Sequence, residues 1–94
     1  MYARLVRFSF GPGKQAEAQA LADNIAPLIS SQPGCQSVSV FGDESDGEYG
    51  IFVLWDSEEN ANAAAQVVRP KLNEHFAGNA KGPPDARLFT VLSK

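Results

Sequence analysis

His75 is the only histidine in this 94-residue chain. With an ordinary pKa of about 6.5, it is the one side chain suited to proton transfer near neutrality without a large shift. It stands beside Phe76 in a stretch of helical periodicity, where the plain alternative is a partly exposed helical histidine. Arg4, Arg7 and Arg87 fall in extended segments, and Arg69 directly precedes Pro70. A strand arginine can pair across strands with a carboxylate such as Glu48 or Asp56, or project into a cavity and bind an enolate or phenolate oxygen. For Arg87 both readings stand open. Cys35 is the only cysteine, so it forms no intrachain disulfide. With no neighbouring cation or helix start to lower its pKa, it reads as a small apolar residue after the Pro33-Gly34 turn. One cysteine and one histidine cannot build a zinc cage, and the carboxylates lack the spacing of a calcium loop. No metal site is expected.

The elements that must position these groups centre on Tyr49-Gly-Ile-Phe-Val-Leu-Trp55-Asp-Ser-Glu-Glu-Asn60. The segment reads as a strand from Glu48 to Asp56, followed by a helix capped by Asp56 or Ser57 with Glu58 and Glu59 in its first turn. A strand with one wet face alternates apolar and polar residues, and this one does not. Ile51, Val53 and Trp55 point one way, Phe52 and Leu54 the other. Both faces of the sheet must therefore be covered, and in so short a chain helices can cover one. A second copy of the chain is the economical cover for the other. Trp55 itself either fills volume at the strand end or lines a pocket with its N–H as an orienting donor.

Around that segment, Tyr2 to Phe10 reads as a strand stopped by Gly11-Pro12-Gly13. A helix follows from about Lys14 to Ser30, with Ala18, Leu21, Ala22, Ile25, Leu28 and Ile29 as its apolar stripe and a kink or loosened last turn expected at Pro27. Cys35 to Gly42 is a second strand, wetter because Ser37 and Ser39 alternate with Val38 and Val40, and placed near an edge. Asp43 to Gly47 is a hairpin loop. The second helix carries Ala61, Ala64, Ala65, Val68, Leu72 and Phe76 on one side, and Pro70 is expected to divide it in two near Arg69. Gly78 to Pro84 is a loop, and Arg87 to Leu92 the last strand. The order βαββαβ predicts an α+β, ferredoxin-like antiparallel sheet, with the first and third strands central and both helices on one face. Residues 1–94 are expected to form one domain.

Eight basic against eleven acidic residues, with no basic run, argue against a nucleic-acid partner. Apolar runs are too short to span a membrane, and the start of the chain has no signal-like apolar region, so the cytoplasm is the expected location.

The start Tyr2-Ala-Arg-Leu-Val-Arg-Phe8, then Gly11-Pro-Gly-Lys14, Gln32-Pro-Gly-Cys35, Phe52-Val-Leu-Trp55-Asp-Ser-Glu58 and the closing Gly82-Pro-Pro-Asp-Ala-Arg-Leu-Phe-Thr-Val91 resemble the antibiotic biosynthesis monooxygenase domain. The resemblance covers nearly the whole chain and implies the dimeric α+β barrel, a homodimer formed through the sheets. It also implies a cofactor-independent monooxygenase that oxidises a small aromatic, a phenol, quinol or anthrone, with dioxygen and without metal, flavin or haem. On that reading Phe8, Phe52, Trp55, Val68, Leu72 and Phe76 form the walls of a pocket for a small hydrophobic or aromatic molecule. His75 moves the proton, and Arg87, Asn60 or Asn73 holds the oxygen. The alternative is a dimeric small-ligand-binding protein without catalysis. A third reading is haem binding or degradation. The haem-degrading relatives take a histidine from the region of His75, but they also use an asparagine on the first strand and a second tryptophan, and this chain has neither. The alanines at 61, 63, 64 and 65 either let the helix pack closely or leave room for a ligand.

Overall fold

Alternation along the strands decides which residues become core. The computed structural model describes residues 1–94. It consists of β1 (Tyr2–Ser9), α1 (Gln15–Ser30), β2 (Cys35–Asp43), β3 (Glu48–Trp55), α2 (Glu58–Phe76) and β4 (Asp85–Thr90). The strands form one antiparallel sheet in the order β2-β3-β1-β4, which makes β1 and β3 central and leaves the serine-bearing β2 at an edge. Both helices pack on the same face, giving the α+β, ferredoxin-like arrangement. In the β1–β3 register Arg4 lies opposite Val53, Val6 opposite Ile51 and Phe8 opposite Tyr49, and these residues point toward the helices. One extra residue at Gln36 shifts the register of β2, so that Val38 and Val40 oppose Val53 and Ile51 on that same face.

The core lies between this face and the helices. Phe10, Leu21 and Ile25 have no exposed surface, and Ile51, Val53 and Ala61 are almost equally buried. Each large apolar side chain removed from water in this way contributes about 1.5–3 kcal/mol before entropy is counted. Phe8, Phe10, Tyr49 and Phe76 form an aromatic cluster at one end, with ring centroids 4.9–6.2 Å apart. Offset and tilted pairs of this kind add to simple burial.

The opposite face of the sheet has no helix over it. Phe41, Phe52 and Phe89 point out of it and are 51%, 37% and 45% exposed. Leu5 and Leu54 lie between them in register and are half-buried by their neighbours alone.

Neither proline divides its helix. α1 runs through Pro27 to Ser30, the Ser31 amide still donating to the Pro27 carbonyl at 3.1 Å, and the last carbonyls are served by the Ser30, Ser31 and Gln32 side chains, which donate to Pro27 and Leu28. In α2 the expected division at Pro70 does not occur, and the helix is continuous from Glu58 to Phe76. Pro70 and Gln66 are both exposed, so the carbonyl that loses its partner is left on the wet side, where water can serve it. The last strand begins at Asp85, two residues before the expected start, because Arg7 of β1 extends the ladder to Asp85. No helix is long and apolar enough to cross a membrane.

Gly47 shows how tightly the hairpin is fastened to β1. It has φ 77°, its carbonyl accepts from the Phe10 amide at 2.9 Å, and a Cβ placed there runs into the Gly11 backbone. Gly13 has φ 86° but open space around it. Gly13→Ala is therefore expected to cost only the left-handed strain, about 1–2 kcal/mol. Gly47→Ala adds an overpacking cost of about 1–3 kcal/mol. Urea midpoints of the two variants should differ in that order; equal midpoints would remove the packing argument.

Candidate functional site

The inner face of α2 carries Ala61, Ala64 and Ala65 over β1 and β3, and these short side chains leave space beneath the helix. What remains is a cavity of about 150 Å³. Val6, Ile51 and Val53 make its floor, and Val68, Leu72 and Phe76 share its roof with the alanines. Trp55 closes one side, and Ile29 of α1 reaches in beside it. Pro84 and Ala86 stand at the rim, beside β4, an edge strand that packs against β1 alone. The alanine run thus leaves room rather than allowing close packing.

Few polar groups enter this cavity. Arg4 reaches it from β1, Arg69 and Asn73 from α2. The helical spacing explains the last two: Ala61, Ala65, Arg69 and Asn73 recur at four-residue steps, on the same stripe as the apolar lining. The Arg4 guanidinium donates from Nη2 to Asn62 Oδ1 at 3.1 Å, tying β1 to the start of α2. Desolvation pulls the Arg4 pKa below its ordinary value, and the nearby charge of Arg69 lowers it further. Trp55 is 3% exposed, and its indole Nε1–H is buried without a hydrogen-bond acceptor in the chain. A buried donor left in this state costs about 1–3 kcal/mol.

The residues singled out from the sequence separate into two groups. Trp55, Leu72 and Phe76 line the cavity, as do Val68 and Asn73. Phe8 lies one layer behind, its ring 4.9 Å from that of Phe76. Phe52, expected as a wall, is on the opposite face of the sheet, because odd positions of β3 face the helices and Phe52 is even. Arg87 is also on that far face, opposite Leu5, and pairs with Asp85 at 3.4 Å. Its pairing with a neighbouring carboxylate replaces a cavity role. Asn60 does not reach the cavity either. Its backbone amide donates to Ser57 Oγ, the cap of α2, at 3.1 Å and its side chain to Asp56 Oδ1 at 2.9 Å, so it is held at the corner below Trp55. His75 sits half-buried in the last turn of α2, outside the lining, with its carbonyl accepting from the Asn79 side chain at 2.9 Å.

Arg4 and Arg69 are the functional candidates that strand and helix chemistry alone did not rank. The signal for Arg4 is parity: it alternates with Val6 and Phe8, whereas Arg87 alternates with Phe89. A second, more open cleft of about 440 Å³ lies between the start of α1 and the β2–β3 hairpin. Its rim is acidic: burial raises the Tyr49 phenol, with Glu44, Asp46 and Glu17 adding to the effect. It has no enclosing apolar walls.

The family model for antibiotic biosynthesis monooxygenases matches residues 1–75. Among solved structures, the chain is similar to the NE2512 protein of Nitrosomonas europaea, at 20% identity and TM-score 0.84, covering 99% of this chain and 90% of that one. It is similar to a variant of SnoaB, a cofactor-independent oxygenase from Streptomyces nogalater, at 19% identity and TM-score 0.81, covering 99% and 94%. It is also similar to the monooxygenase from the gene ActVA-Orf6 of Streptomyces coelicolor, solved with Nanaomycin D, at 23% identity and TM-score 0.77, covering 99% and 88%. At these identities the structural likeness speaks for the fold. No curated protein matches.

Cys35 lies at the start of β2, half-buried opposite Trp55. Burial pushes its thiol pKa up, opposed in part by a hydrogen bond with the Ser37 backbone. A raised pKa means less thiolate at any pH below it, so alkylation at neutral pH is expected to run several-fold slower than for a free thiol. The rate should keep climbing above the pH at which the free thiol levels off. Iodoacetamide kinetics against pH check this, and a plateau at or below that of the free thiol contradicts it.

Proposed function

Because the chain belongs to the antibiotic biosynthesis monooxygenase family, we propose that the cavity under Trp55 binds a single-ring phenol or quinol and lets dioxygen oxidise it without a cofactor. The observation that carries this reading is a half-open apolar cavity, walled by Val6, Ile51, Val53, Val68, Leu72 and Phe76, in a member of that family. Size narrows the substrate. A cavity of about 150 Å³ is comparable to engineered apolar cavities that take up benzene. Drug-sized ligands occupy roughly 300–1,000 Å³. A volume of this order suits a single ring, which favours a monocyclic phenol or quinol.

The chemistry needs little beyond enclosure. A phenol ionises, and its electron-rich ring passes one electron to dioxygen. The two radicals join at the ring carbon para to the oxygen, and loss of water gives the para-quinone. One oxygen atom stays on the ring and the other leaves as water; the ring supplies the electrons and dioxygen is the oxidant. The protein's part is to hold the ring, exclude bulk water from the intermediate and favour the ionised form. No histidine or carboxylate lines the cavity. The phenolic proton therefore leaves to water at the rim, and His75 is not the base. That same absence of a base supports the second reading, a binding protein that holds a small aromatic without turnover.

The open face of the sheet completes the proposal. A second copy covers Phe41, Phe52 and Phe89, with Leu5 and Leu54 between them, and takes these exposed aromatic rings out of water. The patch lies on one four-stranded layer and meets its own copy as two sheets packed face to face.

Oxygen uptake with phenol tests the catalytic reading. The wild type is expected to consume oxygen above the uncatalysed rate. Ala65→Leu, which fills the cavity from a half-buried position, is expected to lower the rate by about tenfold or more, and His75→Ala to leave it within about twofold. Phenol binding without uptake would favour the non-catalytic reading, and unchanged uptake in Ala65→Leu would remove the cavity from the reaction. For the assembly, Phe52→Asp is expected to give folded monomers by analytical ultracentrifugation, whereas Val53→Asp, which buries a carboxylate under the helices, is expected to unfold the chain. A Phe52→Asp dimer would retire the sheet-to-sheet contact.

A further inference from the structure

The second cleft, between the start of α1 and the β2–β3 hairpin, gathers acceptors and holds no cation. Asp43 and Glu44 line it, and no lysine, arginine or histidine does. The ion pairs of the chain, Lys71–Glu74 and Arg87–Asp85, lie elsewhere. Asp43 engages Oδ1 alone, which accepts from the Ser45 amide at 3.0 Å and the Ser45 hydroxyl at 2.6 Å. Two exposed carboxylates at a hairpin are ordinarily just solvated. What sets this pair apart is Tyr49, which lies directly opposite Gly42, the residue before them. Tyr49 lines the same cleft, yet it is 8% exposed, and its phenol Oη is buried with no hydrogen-bond partner in the chain. A buried hydroxyl in this state carries a desolvation cost that a partner would remove. Gly42 gives the ring its place: a Cβ there would run into Cδ1 and Cε1 of Tyr49. Phe8 and Phe10 back the ring, each with its centroid 5.8 Å away. Burial, with the neighbouring carboxylates, raises the Tyr49 pKa, so the oxygen stays a neutral acceptor.

We propose that this cleft binds an organic cation, an aliphatic amine whose ammonium group meets Asp43, Glu44 and the Tyr49 phenol oxygen while its stem lies along Ala18, Ala22 and Val40. An ammonium has three donors, and these residues offer three acceptors, two of them charged. A metal ion fits less well. No group of three His, Cys, Asp or Glu is arranged to hold one, and hard divalent cations ask for about six or more oxygens. The cleft volume of about 440 Å³ falls in the range of small-ligand sites. The cleft shares no lining residue with the cavity under Trp55, so this site stands whatever that cavity binds.

Butylammonium, butanol and magnesium would each be titrated against the intact chain in about 0.15 M salt, where bare surface attraction is largely screened. The backbone amide signals of Gly42 and Glu44 report on the cleft. Those of Glu58 and Glu59, an exposed acidic pair outside both pockets, are the internal control. Butylammonium is expected to move the cleft signals at concentrations about tenfold or more below those that move the control, and to bind there about tenfold or more tighter than butanol. Magnesium is expected to show no preference for the cleft. Glu44→Gln, at an exposed position, is expected to weaken butylammonium about fivefold or more. Tyr49→Phe deletes an unpartnered hydroxyl, so it should keep the urea midpoint at or above that of the wild type and still weaken butylammonium about threefold or more. Butanol binding as tightly as butylammonium, an equal response of the two acidic pairs, or a cleft preference by magnesium overturns the proposal. Unchanged affinity in Glu44→Gln or in Tyr49→Phe overturns it as well, because the cleft is then only a charged surface.

Discussion

A single antiparallel layer with apolar side chains on both faces is the constraint from which the rest of the molecule follows. Period-two alternation sends Ile51, Val53 and Trp55 under the helices and Phe52 and Leu54 to the far side. The chain has two helices, and both are spent on one face. Each candidate feature then belongs to one side or the other: the cavity with its arginines on the helical side, and the open aromatic patch on the far side. A residue's parity along its strand decides whether it faces the cavity or the open side. For this reason Arg4 and Arg87, on adjacent strands, have such different surroundings.

The cavity itself arises from what is missing. A helix that packs on a sheet normally fills the interface with long side chains at close-packed density. Here α2 offers alanine at 61, 64 and 65, and the space is bounded at one end by the Phe76 ring, with the Phe8, Phe10 and Tyr49 rings packed behind it, and at one side by Trp55. The helix keeps its position because its ends are fastened: Ser57 caps its start, Asn60 and Asp56 fix the corner after β3, and Asn79 folds back on the His75 carbonyl. Empty volume in so small a protein forgoes dispersion and burial energy that it can hardly spare. The volume is retained together with uncompensated charge and an unpartnered indole donor, three departures from best packing at one place. Such departures cluster where function competes with stability.

Residue order alone determined much of this architecture, because local physical signals carry it. Gly-Pro-Gly and Pro-Gly turns, two helical stripes and four apolar runs gave βαββαβ, and the serines of β2 against the unbroken apolar run of β3 gave edge and centre. Trp55, Leu72 and Phe76 were legible as pocket candidates because each lies on an apolar stripe that must face inward. Other matters awaited the tertiary structure. Residue type is blind to face, so Arg87 and Phe52 looked as able to reach a pocket as Arg4 and Val53; only the register assigned them. Asn60 looked free until the corner at Asp56 and Ser57 engaged its backbone amide and its side-chain amide. Pro70 read as a break because propensity is local, whereas the helix runs through it with the lost hydrogen bond turned to solvent. Whether the small residues at 61, 64 and 65 mean tight contact or vacant space depends on how the helix sits over the sheet, a tertiary relation between distant segments that no window of sequence contains.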